Sequence, residues 1–103
     1  MSARNNLRDG MEITSEGTRY WYSAGALHRE DGPAIEYFDA SQEWWQNGEL
    51  HRDGGPAIIR ANGTKEWWLR GQLHRDDGPA IEPQKGIQEW WLNGKRVGCF
   101  LMS

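Results

Sequence analysis

A motif of the form Glu-Trp-Trp-x-x-Gly-x-Leu-His-Arg-x-x-Gly-Pro-Ala-Ile recurs along the chain at a fixed interval of 23 residues. The equivalent positions are Trp21, Trp44, Trp67 and Trp90 for the first tryptophan, His28, His51 and His74 for the histidine, and Arg29, Arg52 and Arg75 for the arginine. A fixed period of about 20–50 residues marks a repeat protein, in which each unit buries apolar surface by stacking on its neighbours. The sequence therefore constrains the fold more than the ligand.

Length and charge restrict the class of protein. A chain of 103 residues forms one domain with a modest core. Its formal net charge of −3, with scattered Lys and Arg, disfavours nucleic acid and anionic membranes as partners. Cys99 is the single cysteine, which fits a reducing cytoplasm. Residues 1–10 show no signal-peptide stretch, and no apolar run reaches membrane-helix length, so we expect a soluble cytoplasmic protein.

The turn glycines set the boundaries of the units. The predicted divisions are an N-terminal segment with a degenerate half-unit at 1–17, full units at 18–40, 41–63 and 64–86, and a partial fourth unit with a C-terminal cap at 87–103. Terminal repeats are expected to be atypical because they cap the stack. In the last unit the apolar run 97–102 replaces the His-Arg segment. We interpret this tail as either a cap folded over the last strand or an adhesive end.

Two turn signals punctuate every unit and predict two strands between them. The first set is Asn47-Gly48 and Asn93-Gly94, with Ala24-Gly25 and Arg70-Gly71 in register; the second is Asn62-Gly63, with Asp39-Ala40 and Lys85-Gly86. Asn-Gly suits a tight hairpin because both residues adopt positive φ. Turns about every 12 residues without helical periodicity predict an all-β antiparallel meander of about eight or nine strands in a single domain.

One stretch of the fourth unit resembles a known family. The run Trp91-Leu92-Asn93-Gly94-Lys95-Arg96-Val97-Gly98 is similar to the aromatic-x-Asn-Gly-Lys-x-x-Gly core of the MORN repeat, and the His-Arg-x-Asp-Gly-Pro-Ala form to a variant subgroup of phage, bacterial and large-virus proteins. The resemblance covers roughly residues 9–98 and implies tandem β-hairpins in one elongated, twisted antiparallel sheet. It also implies a scaffold or protein-binding module, with lipid binding proposed for some members and an antitoxin role for some bacterial variants.

The doubled tryptophan departs from that family pattern, which requires one aromatic residue. Consecutive strand residues point to opposite faces, so the aromatics form two columns. The first column is Trp21, Trp44, Trp67 and Trp90, and the second is Tyr22, Trp45, Trp68 and Trp91. The family aromatic aligns with the second column, which we take as structural, although Leu69 and Leu92 flank the first. The other column is either buried by sheet curvature or self-association, or exposed to a protein partner, a sugar or a base.

The three histidines do not predict a metal site. Two strands per unit at about 4.8 Å each separate equivalent histidines by about 9–10 Å. A zinc ion needs its ligand nitrogens at about 2.1 Å. The string His74-Arg75-Asp76 imitates the catalytic loop of protein kinases, but similar strings recur in every full unit and no Gly-rich phosphate loop accompanies them. We therefore expect neither a metal, nor a cofactor, nor an enzyme.

The His-Arg segments have two interpretations. In the first they are structural corners, in which Asp31 and Asp77 accept backbone N–H groups and each arginine pairs with a carboxylate of its own or the adjacent unit. In the second they form a row that contacts an acidic partner or an anion.

We predict a protein-binding module, a small phage or bacterial inhibitor of anti-defence or antitoxin type, acting on a cytoplasmic partner. The candidate contacts are Trp21, Trp44, Trp67 and Trp90, with His28, Arg29, His51, Arg52, His74 and Arg75 at the rim. The alternatives are a structural module that self-assembles through the tryptophan face or the Phe100-Leu101-Met102 end, and a small-ligand module that stacks a nucleotide-like compound or a sugar on Trp and Arg.

Overall fold

The computed structural model describes residues 8–102, and this part of the chain consists of strands and turns without a helix. It accordingly offers no helix that could cross a membrane. Residues 1–7 lie outside the described range, and with them most of the segment for which we expect no signal peptide.

Fourteen short strands follow one another in this range. In chain order they are β1 (Gly10–Ile13), β2 (Arg19–Ser23), β3 (Ala26–Leu27), β4 (Ile35–Glu36), β5 (Gln42–Glu43), β6 (Trp45–Gln46), β7 (Glu49–Leu50), β8 (Ile58–Ile59), β9 (Lys65–Glu66), β10 (Trp68–Leu69), β11 (Gln72–Leu73), β12 (Ile81–Glu82), β13 (Ile87–Leu92) and β14 (Lys95–Leu101). All pairings among them are antiparallel.

Ten strands form one open sheet in the order β1-β2-β4-β5-β8-β9-β12-β13-β14, with β3 paired to β2. The other four form the hairpins β6–β7 and β10–β11, which lie beside this sheet. Successive hairpins are joined through backbone bonds, such as the N–H of Gly71 to the carbonyl of Leu50 at 2.9 Å. The molecule measures 61 × 29 × 18 Å. The predicted all-β hairpin meander is confirmed.

The strand count exceeds the predicted eight or nine because the middle units are interrupted at their first tryptophan. The Trp44 N–H donates to the Ala57 carbonyl at 2.7 Å, while the Trp44 carbonyl accepts from the N–H of His51 at 3.0 Å. The strand therefore leaves the main sheet at Trp44 and continues as the hairpin β6–β7. In the fourth unit the strand stays continuous, with a bulge between Trp90 and Trp91.

Both predicted sets of turns are present. Asn47 and Gly48 have φ angles of 52° and 79°, the positive values that a two-residue hairpin turn with the twist of its strands requires. Arg70 adopts the same conformation with a φ of 49°, although arginine carries no preference for it. The position of the turn is therefore set by the period and by the glycine that follows.

The core of this sheet is thin. Ala34, Ala57 and Ala80 are completely buried, and Ile35 and Ile58 nearly so, whereas no large side chain of the described residues is fully buried. Ile58 lies opposite Glu43 on one side and Glu66 on the other. An open sheet has little interior, and the tryptophans are accordingly only half-buried.

Candidate functional site

Each full unit contains an arginine stacked on its own first tryptophan. We call the segments 28–33, 51–56 and 74–79 corners 1, 2 and 3. The Cζ atoms of Arg29, Arg52 and Arg75 lie 3.8, 3.9 and 3.8 Å from the ring centroids of Trp21, Trp44 and Trp67. A planar guanidinium at this distance is attracted by the negative face of the indole ring. The first tryptophan column is therefore covered by arginine in all three full units.

The Gly-Pro pair of each corner holds the guanidinium in place. In corner 3 the Arg75 Nη1 group donates to the Pro79 carbonyl at 3.1 Å. A Cβ atom on Gly78 would lie 2.9 Å from the Arg75 Cζ atom, a distance that normal packing does not allow. Corners 1 and 2 repeat the bond to the proline carbonyl, and a Cβ atom on Gly32 or Gly55 would lie 3.1 or 3.0 Å from the arginine Cζ atom. Glycine at this position lets the guanidinium pack directly against the backbone.

Carboxylates complete corners 1 and 3. Arg29 donates from Nε to Asp31 at 3.0 Å and from Nη1 to Glu36 at 3.2 Å. In corner 3 the Arg75 Nε group donates to Asp77 at 3.1 Å, and Glu82 lies 3.9 Å from Nη1. The pairing of arginine with a carboxylate of its own unit is as the structural-corner interpretation predicts. Asp31 and Asp77, however, accept from the guanidinium, and no backbone donor reaches their side chains within residues 8–102.

Corner 2 lacks both carboxylates. Gly54 stands where the other corners have Asp31 and Asp77, and Ile59 stands where they have Glu36 and Glu82. Over the described part of the chain, the one side-chain hydrogen bond of Arg52 runs from Nη1 to the Pro56 carbonyl at 3.1 Å, and no carboxylate lies within ion-pair distance. Corner 2 therefore holds a half-buried cation that its own unit does not neutralise.

The histidines connect each corner to the next unit. The Nδ1 atoms of His28, His51 and His74 accept the backbone N–H groups of Asn47, Arg70 and Asn93, each at 2.9 Å. Since Nδ1 accepts, Nε2 carries the hydrogen in the neutral ring and faces an acidic side chain two residues later: Glu30, Asp53 or Asp76. Within residues 8–102 no three His, Cys, Asp or Glu side chains cluster as metal ligands. The histidines hold neighbouring units in register.

The second aromatic column is tied to glutamates. The Nε1 groups of Trp45, Trp68 and Trp91 donate to Glu43, Glu66 and Glu89 at 2.8, 3.0 and 2.9 Å. Glu43 also accepts a hydrogen bond from the Tyr37 hydroxyl at 3.0 Å. Burial raises the pKa of Tyr37 well above its ordinary value, and the Glu43 charge adds to this. Sequence reasoning missed these glutamates as partners, although a Glu precedes the second tryptophan by two residues in units 2 to 4.

Neither aromatic column is an open ladder, since all eight aromatics are half-buried. The structure brings the predicted site residues together in three separate groups. Each group pairs one first-column tryptophan with the arginine of its own unit, and Trp90 has no such corner. The residue opposite Trp90 is Gly98 of the edge strand β14.

Two open grooves separate the corners. The groove between corners 2 and 3, here called groove 2–3, has a volume of about 430 Å³ and is lined by Arg52, the Gly54–Pro56 backbone, Trp67 and Leu69, with corner 3 as its far wall. The groove between corners 1 and 2 has about 540 Å³ and carries Gln46 in the position of Leu69. The two grooves therefore differ in polarity although the backbone repeats.

Comparisons with family models, with curated proteins and with solved structures gave no match to this chain. The resemblance to the MORN repeat remains a prediction made from the motif.

Proposed function

We propose that this chain is a non-enzymatic protein-binding module whose binding face is the row of three arginine corners and the two grooves between them. The observation that carries the proposal is the recurrence of a half-buried Trp-Arg pair in three successive units, next to open grooves. Trp and Arg are the residue types over-represented among the residues that dominate binding energy in protein interfaces. The grooves offer these pairs to a ligand, because each groove is lined by the tryptophan and the arginine of one corner and the arginine of the preceding one.

The thin core supports the same proposal. The sheet keeps its aromatic side chains half-buried, and a partner laid across the corners would cover more of them. The His-Arg-x-Asp-Gly-Pro-Ala form resembles that of phage and bacterial proteins. On this resemblance we propose that the chain is an inhibitor or antitoxin that acts on one partner in the bacterial cytoplasm.

The experiment is capture of a partner by the tagged chain from bacterial lysate, followed by titration of the purified partner against two matched variants. Leu69→Arg places a charged side chain in groove 2–3. Leu92→Arg makes the same change one period later, where no corner follows. We expect one stoichiometric partner whose affinity falls at least about tenfold with Leu69→Arg and stays unchanged with Leu92→Arg. Failure to obtain a stoichiometric partner, or equal loss in both variants, contradicts the proposed binding face.

A second candidate function is self-assembly through the sheet edges. The edge strand β14 exposes Val97, Phe100 and Leu101 to 60%, 63% and 68%, and the opposite edge strand β1 exposes Ile13 to 57%. Long apolar edge strands pair readily with other strands. Sedimentation over a wide concentration range tests this candidate: a mass that rises with concentration and returns to the monomer in Val97→Lys supports it, and a constant monomer mass contradicts it.

A further inference from the structure

We infer that the Arg52 guanidinium is the recognition site for one carboxylate of a partner protein, an Asp or Glu side chain that enters groove 2–3. The inference rests on the proposed function and specifies the chemistry of the partner. The ligand carboxylate would take the place at Nε that Asp31 occupies at Arg29 and that Asp77 occupies at Arg75.

The chain contains three copies of the same corner, and these copies differ in the partners of their arginine. Corners 1 and 3 hold their arginine with a tryptophan ring, a proline carbonyl and two carboxylates. Corner 2 keeps the ring and the carbonyl, at 3.9 Å and 3.1 Å from the guanidinium. Both of its carboxylate positions have changed, to Gly54 and Ile59. The guanidinium is thus oriented for a bidentate partner that its own unit does not provide.

Arg52 lines groove 2–3 and can be reached through it. Gly54 and Gly55 leave the approach to Arg52 without side chains, and nothing lies within 4 Å of the position that a Gly54 Cβ atom would occupy. Arginine carries five N–H donors in a fixed fork that matches a carboxylate. The Arg52 Nη1 group donates to the Pro56 carbonyl, so Nε and Nη2 are the donors that have no protein acceptor among the described residues.

The lining of groove 2–3 restricts the sequence around the ligand carboxylate. Asp76 and Asp77 form the acidic far side of groove 2–3, where Asp77 pairs with Arg75 and Asp76 faces His74. A run of acidic residues would be repelled there, whereas a single carboxylate beside an apolar side chain fits, because Trp67 and Leu69 line the same groove. The groove therefore favours a peptide segment with one acidic residue next to an apolar one, and it disfavours polyanions.

The sequence of the chain supplies a matched pair of test variants. Ile59 lies opposite Gln42 and Lys65 in its neighbouring strands. Glutamate is already accommodated at the same register, since Glu36 lies opposite Gln42 and Glu82 lies opposite Lys65. Ile59→Glu should therefore fold and place an internal carboxylate on Arg52. Ile59→Gln changes the same position without the charge. Gly54→Asp is the second blocking variant, because aspartate tolerates positive φ better than most residues.

The experiment selects displayed random dodecapeptides on the whole chain and measures the selected peptides by fluorescence anisotropy. We expect the peptides to share one Asp or Glu beside an apolar residue. Their affinity should fall at least about tenfold with Ile59→Glu or Gly54→Asp, and less than about twofold with Ile59→Gln. Replacing the shared acid by its amide should cause the same loss, and millimolar succinate should not compete.

Three results overturn the inference. Peptides that bind the parent chain and Ile59→Glu equally would show that the groove is used without the carboxylate, which leaves the proposed binding face in place. Competition by succinate at the peptide's own affinity would assign the site to a small acid. Selection of no peptide above background would leave Arg52 without a ligand of this class, while the partner capture described above would test the binding face separately.

Discussion

Arg75→Lys tests whether the stacked guanidinium, and not merely its positive charge, stabilises each corner. Lysine keeps the charge but lacks the planar fork, so it cannot cover the Trp67 ring and reach the Pro79 carbonyl together. The stacking contributes about 0.5–2 kcal/mol. A hydrogen bond from a charged donor contributes about 1.5–3 kcal/mol. Asp77 is 86% exposed, so its ion pair adds at most about 1 kcal/mol.

Since lysine recovers part of these contacts, we expect Arg75→Lys to lower the free energy of unfolding by about 2–3 kcal/mol, a large share of the roughly 5–15 kcal/mol typical of a domain. Arg52→Lys should cost up to about 1 kcal/mol less, because corner 2 has no carboxylate bond that depends on the guanidinium fork. Since lysine keeps the charge, the difference between the two variants measures what the shape of the guanidinium adds to the carboxylate pairs.

Urea unfolding followed by circular dichroism measures both values, and Arg70→Lys is the control. Arg70 is exposed at a hairpin turn, so its replacement should change stability by less than about 0.5 kcal/mol. Equal stability of Arg75→Lys and Arg70→Lys would refute the stacking argument. Equal losses in Arg75→Lys and Arg52→Lys would show that the carboxylates of corner 3 add no stability that depends on the guanidinium fork.

Two further predictions concern contacts between and within units. His51→Ala removes the acceptor of the Arg70 amide, so stability should fall by about 0.5–1.5 kcal/mol and hydrogen exchange at that amide should accelerate; unchanged protection there would contradict the role of the histidine. Burial and then the Glu43 charge raise the pKa of Tyr37 in the folded chain, so its contribution to stability is complete below the unfolded value of about 10 and is lost as the pH rises above it. Urea midpoints measured between about pH 9 and 11 should therefore decrease less steeply in Tyr37→Phe, and an equal slope would contradict this.

The sequence predicts the meander because its determinants are local. Asn47, Gly48 and Gly63 adopt positive φ, as a turn at each end of the strands requires, and these turns restrict the register in which the strands can pair. Because the sequence repeats every 23 residues, the same arrangement of turns and strands recurs in every full unit. The number of strands could not be predicted, because the break at Trp44 comes from hydrogen bonds to Ala57 and His51, which are distant in the chain.

The environment of the tryptophans was not predictable for a different reason. Alternation assigns Trp44 and Trp45 to opposite faces, but a bent sheet one layer thick has no face that is simply inside. Arg52 covers Trp44 across eight residues of chain, and Glu43 fixes Trp45 from two residues away. The sequence shows that positions 54 and 59 carry no acidic residue. Only the contacts of Arg29 and Arg75 show that acidic residues at the equivalent positions pair with the arginine.

The regular advance of the sheet spaces the corners at a fixed interval. Every full unit adds two strands to the main-sheet path, so each corner lies about 9–10 Å beyond the previous one, and corners 1 and 3 are about 18–20 Å apart. The histidine bond from each corner to the next hairpin keeps this interval from drifting. A partner that contacts two corners must repeat its own contacts at the same interval. Insertion of one 23-residue unit would increase the distance between the first and last corners by one interval and leave every corner unchanged. Such a chain would offer the same contacts over a longer span.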